Sequence, residues 1–241
     1  MMLKKLIALT FAVVFMCSFS LSSMAYTNND EYDGFVTPEM VKETEENTRR
    51  LIEKGNAIIQ MYEEGIAPMK SYHMDFVHLY QDDPRWANKY LPCKETGHTY
   101  GKVGCAMTSY AMCMAWFEAP ELKEYTPVAV AERYGSEACN FSSATLIGQY
   151  KGRSYTAVGS NDNYTEAEKI AAIIGAIADN DPSIIKFTKN GGAHFVIAYG
   201  FNDASGTMQV CIRDPEGDYD YPYISTYLNK GWTLSQFVTV S

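Results

Sequence analysis

Apolar positions repeat with helical spacing in several separate stretches of the chain, then crowd into short runs in its last third. Thr37-Pro38 opens the first expected helix, with Thr as N-cap and Pro at the first helical position. Met40, Val41, Leu51, Ile52, Ile58, Ile59 and Tyr62 give it an interrupted stripe as far as about Glu64. Gly55 weakens its middle, and Gly65 to Pro68 ends it. Residues 105–117, CAMTSYAMCMAWF, are apolar on every face apart from Thr108 and Ser109. A helix with no polar face belongs at the centre of a fold. TPVAVAERYG predicts a short helix capped by Thr126, opened by Pro127 and closed by Gly135. TEAEKIAAIIGAIAD predicts another, with a Thr165–Glu168 capping box and a stripe of Ile170, Ile173, Ile174 and Ile177.

The last third reads as strands. SIIKFT, AHFVIAYGF and MQVCIR are β-prone runs separated by the turn sequences KNGG and NDASG. Helices first and antiparallel strands second predict an α+β domain, with a central buried helix packed on the sheet and a helical N-terminal arm. Residues 76–103 are aromatic-rich and irregular, with the Gly-punctuated loop KETGHTYGKVGC leading into the buried helix.

The opening segment, MMLKKLIALTFAVVFMCSFSLSSMA, is of another kind. Two lysines precede an apolar run of secretory length, and Ser-Met-Ala supplies a cleavage site after Ala25. The run is short and breaks into serines, which favours a cleaved signal peptide over a membrane anchor. The Val-Phe-Met before Cys17 lacks the small residues that lipoprotein processing needs. The expected organisation is a signal peptide over 1–25, a polar segment and amphipathic helix over 26–70, and a main domain over 71–241, in a secreted protein. The helix within 26–70 reads first as packed on the domain, with a pro-segment or a spacer arm as the alternatives.

Taking Lys4 and Lys5 out of the formal charge of −9 leaves −11 on the 216 residues after Ala25. With no basic stripe, nucleic acid and anionic membrane are excluded as partners. Those residues keep five cysteines, Cys93, Cys105, Cys113, Cys139 and Cys211. An odd number in an export context leaves at least one thiol free or paired with another chain.

Cys105 follows Gly104 at the head of the apolar helix. A helix N-terminus favours the thiolate, and a backbone N–H beside it can bind an oxyanion. Cys113, on the same helix without a terminus, reads as core. Of the four histidines after the signal segment, His73, His78, His98 and His194, only His194 begins a strong strand, on the side it shares with Val196 and Ala198. The next strand ends in CIRDPEG, so Asp214 is placed to lie beside His194. Cysteine on a helix head, histidine on a strand and an acid at the end of the next strand form a nucleophile–base–orienter set.

Other chemistries fit less well. There is no H-E-x-x-H, no phosphate-binding glycine loop and no serine-nucleophile elbow. Cys93, His98 and Cys105 make only three ligands at an unfamiliar zinc spacing. DPEGDYD alternates acids at 214, 216, 218 and 220 but lacks the calcium-loop pattern and reads as a solvated turn. No cofactor or metal is expected.

LYQDDPRWANKYL, VGCAMTSYAMCMAWF, GGAHFVIAYGF and IRDPEGD, taken in order, resemble the bacterial C-39-like cysteine peptidases of the papain-like superfamily. The resemblance covers roughly residues 76–220. It implies a papain-like fold, Cys105 as nucleophile, His194 as general base and Asp214 as orienting acid. It also implies Gln81 as the side-chain oxyanion donor, although Gln81 lies 24 residues before Cys105, a longer separation than in papain. The implied activity is hydrolysis of peptide bonds through a thioester, with an extracellular protein, a secreted peptide or a cell-wall peptide as substrate. The alternative is a catalytically silent domain of the same fold serving as an extracellular binding or scaffold module. A Cys105–His194 contact in an open cleft separates the first from the second.

Overall fold

A computed structural model describes residues 38–66, 71–92, 97–118, 124–135, 155–159, 162–204, 206–217 and 223–240. The expected signal segment, Thr37, Cys93 and Cys139 lie outside the described residues, as do Asp218 and Asp220. The elements are α1 (Pro38–Glu63), β1 (Ser71–His73), α2 (Tyr100–Val103), α3 (Cys105–Trp116), α4 (Pro127–Tyr134), β2 (Tyr155–Val158), α5 (Glu166–Ala178), β3 (Ser183–Lys189), β4 (Gly192–Ala204), β5 (Thr207–Arg213), α6 (Ile224–Asn229) and β6 (Thr233–Val240).

Local sequence accounts for most of these boundaries. Thr165 Oγ1 accepts from the Glu168 backbone N–H at 3.2 Å, and the Glu168 carboxylate accepts from the Thr165 N–H at 2.7 Å. This is the expected capping box, and it starts α5. Thr126 Oγ1 accepts from the Ala129 N–H at 3.2 Å and starts α4. The β3–β4 turn is Asn190-Gly191, with φ of 52° and 79°. Two consecutive positive φ values make the tight hairpin turn that matches strand twist.

The sheet is antiparallel throughout, with the path β1-β4-β3-β6-β2, and β5 pairs with β4. The long β4 takes β3 and then β1 along one edge and β5 along the other. The fold is therefore α+β and papain-like, with α3 buried from Cys105 to Met114 as its central helix. Met107, Tyr110, Met112 and Met114 are wholly inaccessible and join Phe187, Val196, Ile197 and Phe237 in the core.

The N-terminal helix is packed rather than free. A Cβ on Gly55 of α1 would stand 1.8 Å from the Ala171 carbonyl oxygen of α5, and one on Gly175 would stand 2.2 Å from that of Leu51. The two glycines let the backbones of α1 and α5 touch, so the residue that looked like a weak point in α1 is its docking point. Arg50 and Lys54 of α1 both bind Asp179, just past the end of α5.

The sequence reading passes over β1, β2, α2, α6 and β6. The β6 strand is the instructive one, because it lies between β3 and β2 in the sheet. Its pairing jumps from Gln236–Lys186 to Leu234–Phe187, so Ser235 is an extra residue. That bulge breaks the alternation by which a strand is recognised.

Candidate active site

Three elements meet at Cys105. The short α2 runs into α3 through Gly104, whose N–H bonds the Tyr100 carbonyl at 2.8 Å. A Cβ there would lie 2.3 Å from the Tyr100 oxygen, so only glycine permits the join. Cys105 is the first residue of α3 and a free thiol, 9% exposed, whereas Met107 and the side chains behind it are sealed. The thiol is at the rim of the core.

The β4–β5 register supplies the other two groups. Ile197 lies opposite Arg213, so Asp214 continues opposite Val196. His194 is two residues from Val196 on the same face, a diagonal neighbour within reach of a long side chain. His194 Nε2 donates to Asp214 Oδ1 at 2.8 Å, with the two side chains 5% and 3% exposed. The Cys105 thiol is the other hydrogen-bond partner of His194. With Nε2 taken by Asp214, Nδ1 is the nitrogen left to serve the sulfur. Burial opposes charge on His194, but the Asp214 hydrogen bond and the Cys105 interaction outweigh it and raise the imidazole to about 10. Burial likewise opposes charge on Asp214, and the His194 bond outweighs it and keeps the carboxyl below the usual range.

Two residues the sequence reading passed over close this pair off. Tyr227 of α6 donates its hydroxyl to Asp214 Oδ2. Its ring stacks on His194 at 5.7 Å and on Phe187 at 4.6 Å. Trp232 meets Tyr227 edge-on at 5.8 Å and approaches His194 at 6.4 Å. These rings keep water from the imidazole–carboxylate bond, which strengthens it. Neither residue sits at a distance along the chain that ties it to His194, so no spacing rule reveals them.

The turn carrying Asp214 is braced by residues 78–81. The Gln81 N–H donates to the Pro215 carbonyl at 2.8 Å, and His78 Nε2 to the Asp214 carbonyl at 2.7 Å. Burial, the largest influence on His78, pushes it below the usual histidine value, which suits a neutral ring donating one N–H. Gly217, with φ of 69°, lies against the Tyr80 ring, where a Cβ would come within 2.8 Å. The Gln81 side chain is 3% exposed and donates to the Gly101 carbonyl of α2 at 3.1 Å. Gln81 thus joins the Asp214 turn to the approach to Cys105, and one N–H of its amide is used in doing so.

A second Cys–His contact provides a contrast. His73 Nε2 lies 3.3 Å from Cys211 Sγ across β1 and β5. Cys211 is 4% exposed, and burial pushes its thiol up to about 11. It has a histidine but neither a helix head nor an opening. Of the zinc candidates, His98 and Cys105 are described and Cys93 is not; among the described residues no three His, Cys, Asp or Glu side chains converge as a metal ion would require.

Among curated proteins and among solved structures, nothing matches the chain. The profile of the Peptidase_C39 like family matches residues 84–240, more than half of the chain and the span that holds Cys105, His194 and Asp214. The chain belongs to the Peptidase_C39 like family, and this is a cysteine peptidase-like domain.

Proposed function

We propose that the domain is an active cysteine peptidase with Cys105 as nucleophile, His194 as general base and acid, and Asp214 as the group that orients the imidazole. The thiol proton passes to His194 Nδ1 to form a thiolate–imidazolium pair, in which the imidazole, raised to about 10, holds the proton while the sulfur attacks the peptide carbonyl carbon. The negative oxygen forms against the Cys105 backbone N–H and the remaining side-chain N–H of Gln81. His194 returns the proton to the leaving nitrogen as the C–N bond breaks, which leaves a thioester on Cys105. Water then attacks the thioester carbon and gives its proton to His194, and the acid departs as the thiol re-forms. Neither step needs an oxidant or a metal.

The observation that carries this reading is the chain of contacts from a rim thiol to a buried imidazole to a buried carboxylate at the head of the central helix. We also read residues 1–25 as an export signal, which gives the enzyme an extracellular peptide or cell-wall peptide as substrate.

The test is intact-mass spectrometry of the protein quenched in acid after mixing with a p-nitrophenyl ester of an acylated amino acid. One acyl group on Cys105, absent in Cys105→Ala and slowed at least a hundredfold in His194→Ala, is expected. Acylation that persists in Cys105→Ala contradicts the assignment.

A further inference from the structure

The proton path fixes which half of a substrate lies over His194. The nitrogen that takes the thiol proton also protonates the leaving amine, so the leaving-group side of the peptide lies over Nδ1. A second carboxylate stands there. Glu216 Oε1 is 3.7 Å from His194 Nδ1, beyond hydrogen-bond length but within ion-pair range.

The two carboxylates around this imidazole differ in exposure. The Asp214 side chain is 3% exposed and is engaged by His194 Nε2, the Tyr227 hydroxyl and the Glu216 N–H. The Glu216 side chain is 54% exposed and faces solvent. Its backbone is nonetheless held, since the Glu216 N–H donates to Asp214 Oδ1 at 2.9 Å and both flanking residues are pinned to residues 80 and 81. Asp214 already offsets the charge on a protonated His194 at 2.8 Å. The charge of Glu216 therefore faces whatever occupies the leaving-group side.

We propose that Glu216 is a specificity residue that selects a cationic group on the leaving-group side of the scissile bond, a lysine- or arginine-type side chain or a free amine. This rests on the thiol–imidazole chemistry proposed for Cys105.

Small thiol reagents of different charge test it without a peptide substrate. The probes are thioesters of one common acyl group whose leaving thiol carries a trimethylammonium, a sulfonate or an uncharged ethyl group, so that the charge lies on the leaving-group side, with acylation of each cysteine followed by mass mapping. Rates for the charged probes are expressed relative to the neutral probe in the same variant. The native protein is expected to favour the cationic over the anionic probe at Cys105 by roughly tenfold at low ionic strength, the size of one nearby charge acting on probes of opposite sign in water. That preference fades as salt is raised, falls several-fold in Glu216→Gln and reverses in Glu216→Lys. A cation-to-anion ratio that is the same in the native protein and both variants overturns the proposal while leaving a fast Cys105 intact. A Cys105 no faster than Cys211 toward the neutral probe removes the nucleophile, and this proposal with it.

Discussion

Replacing Tyr227 with phenylalanine removes one hydroxyl and leaves the ring against His194 and Phe187. What is lost is a donor to a carboxylate that is only 3% exposed. A hydrogen bond to a charged group contributes about 1.5–3 kcal/mol, and Asp214 keeps its bonds from His194 and the Glu216 N–H, so a loss of about 2 kcal/mol is expected. For a domain of this size that lowers Tm by about 4–8 °C. The pH dependence carries a sign. Asp214 is held below the ordinary carboxylate range, so its stabilisation is present above the unfolded pKa of about 3.9 and is lost as pH falls through the lower folded value. Without the hydroxyl the folded value rises toward the unfolded one, so the acid loss is smaller and is complete at a higher pH. Urea unfolding at pH 7 and at a series of lower values measures both effects. The gap between native and Tyr227→Phe should be widest near neutrality and shrink once Asp214 is protonated in both proteins. A gap under about 0.5 kcal/mol at pH 7, or one that does not change with pH, refutes the argument that Tyr227 acts through the Asp214 charge.

Two further outcomes follow. His194 is raised from its ordinary value to about 10, so its contribution to stability is complete below about pH 6.5 and is lost as pH climbs through the folded value. Unfolding free energy should fall between about pH 7 and 10 with a slope of at most about 1.4 kcal/mol per pH unit for this one proton, and the slope should flatten in His194→Gln; an equal slope in both proteins contradicts the assignment. Gly55→Ala puts a methyl group into the Ala171 carbonyl and should cost about 2 kcal/mol or more by parting α1 from α5. The control is Asn56→Ala on the exposed side of α1, which helix propensity makes neutral or slightly stabilising; thermal unfolding that ranks the two changes equally shows that the Gly55 contact does not hold α1.

The parts of the fold that could be read from the sequence are those set by neighbouring residues. The all-apolar α3, the capping box of α5 and the Asn-Gly turn of the β3–β4 hairpin each follow from a few adjacent side chains. Cys105, His194 and Asp214 could be singled out because each sits at a recognisable boundary, a helix head, a strand start and a strand end. Their meeting depends on the register of β4 against β5, and the short NDASG turn made that pairing foreseeable. Tyr227, Trp232 and the brace from His78 to Gln81 were hidden because their partners are set by tertiary packing. Gly55 misled in a useful way: read by helix propensity it is a weakness, while against α5 it is the only residue that fits. Glu216 looked like one acid of a solvated turn, and its solvent exposure agrees with that. Only the folded arrangement brings it to His194.

The central claim is that Cys105 is an activated nucleophile, and an epoxide-class thiol electrophile followed by mass mapping tests it most directly. Cys211 is the internal control, since it has a histidine neighbour but is buried and pushed up to about 11. The account predicts fast labelling of Cys105, little of Cys211, and loss of the Cys105 signal in His194→Ala. Labelling of Cys105 in the folded protein no faster than that of Cys211, or equally fast without His194, would contradict it.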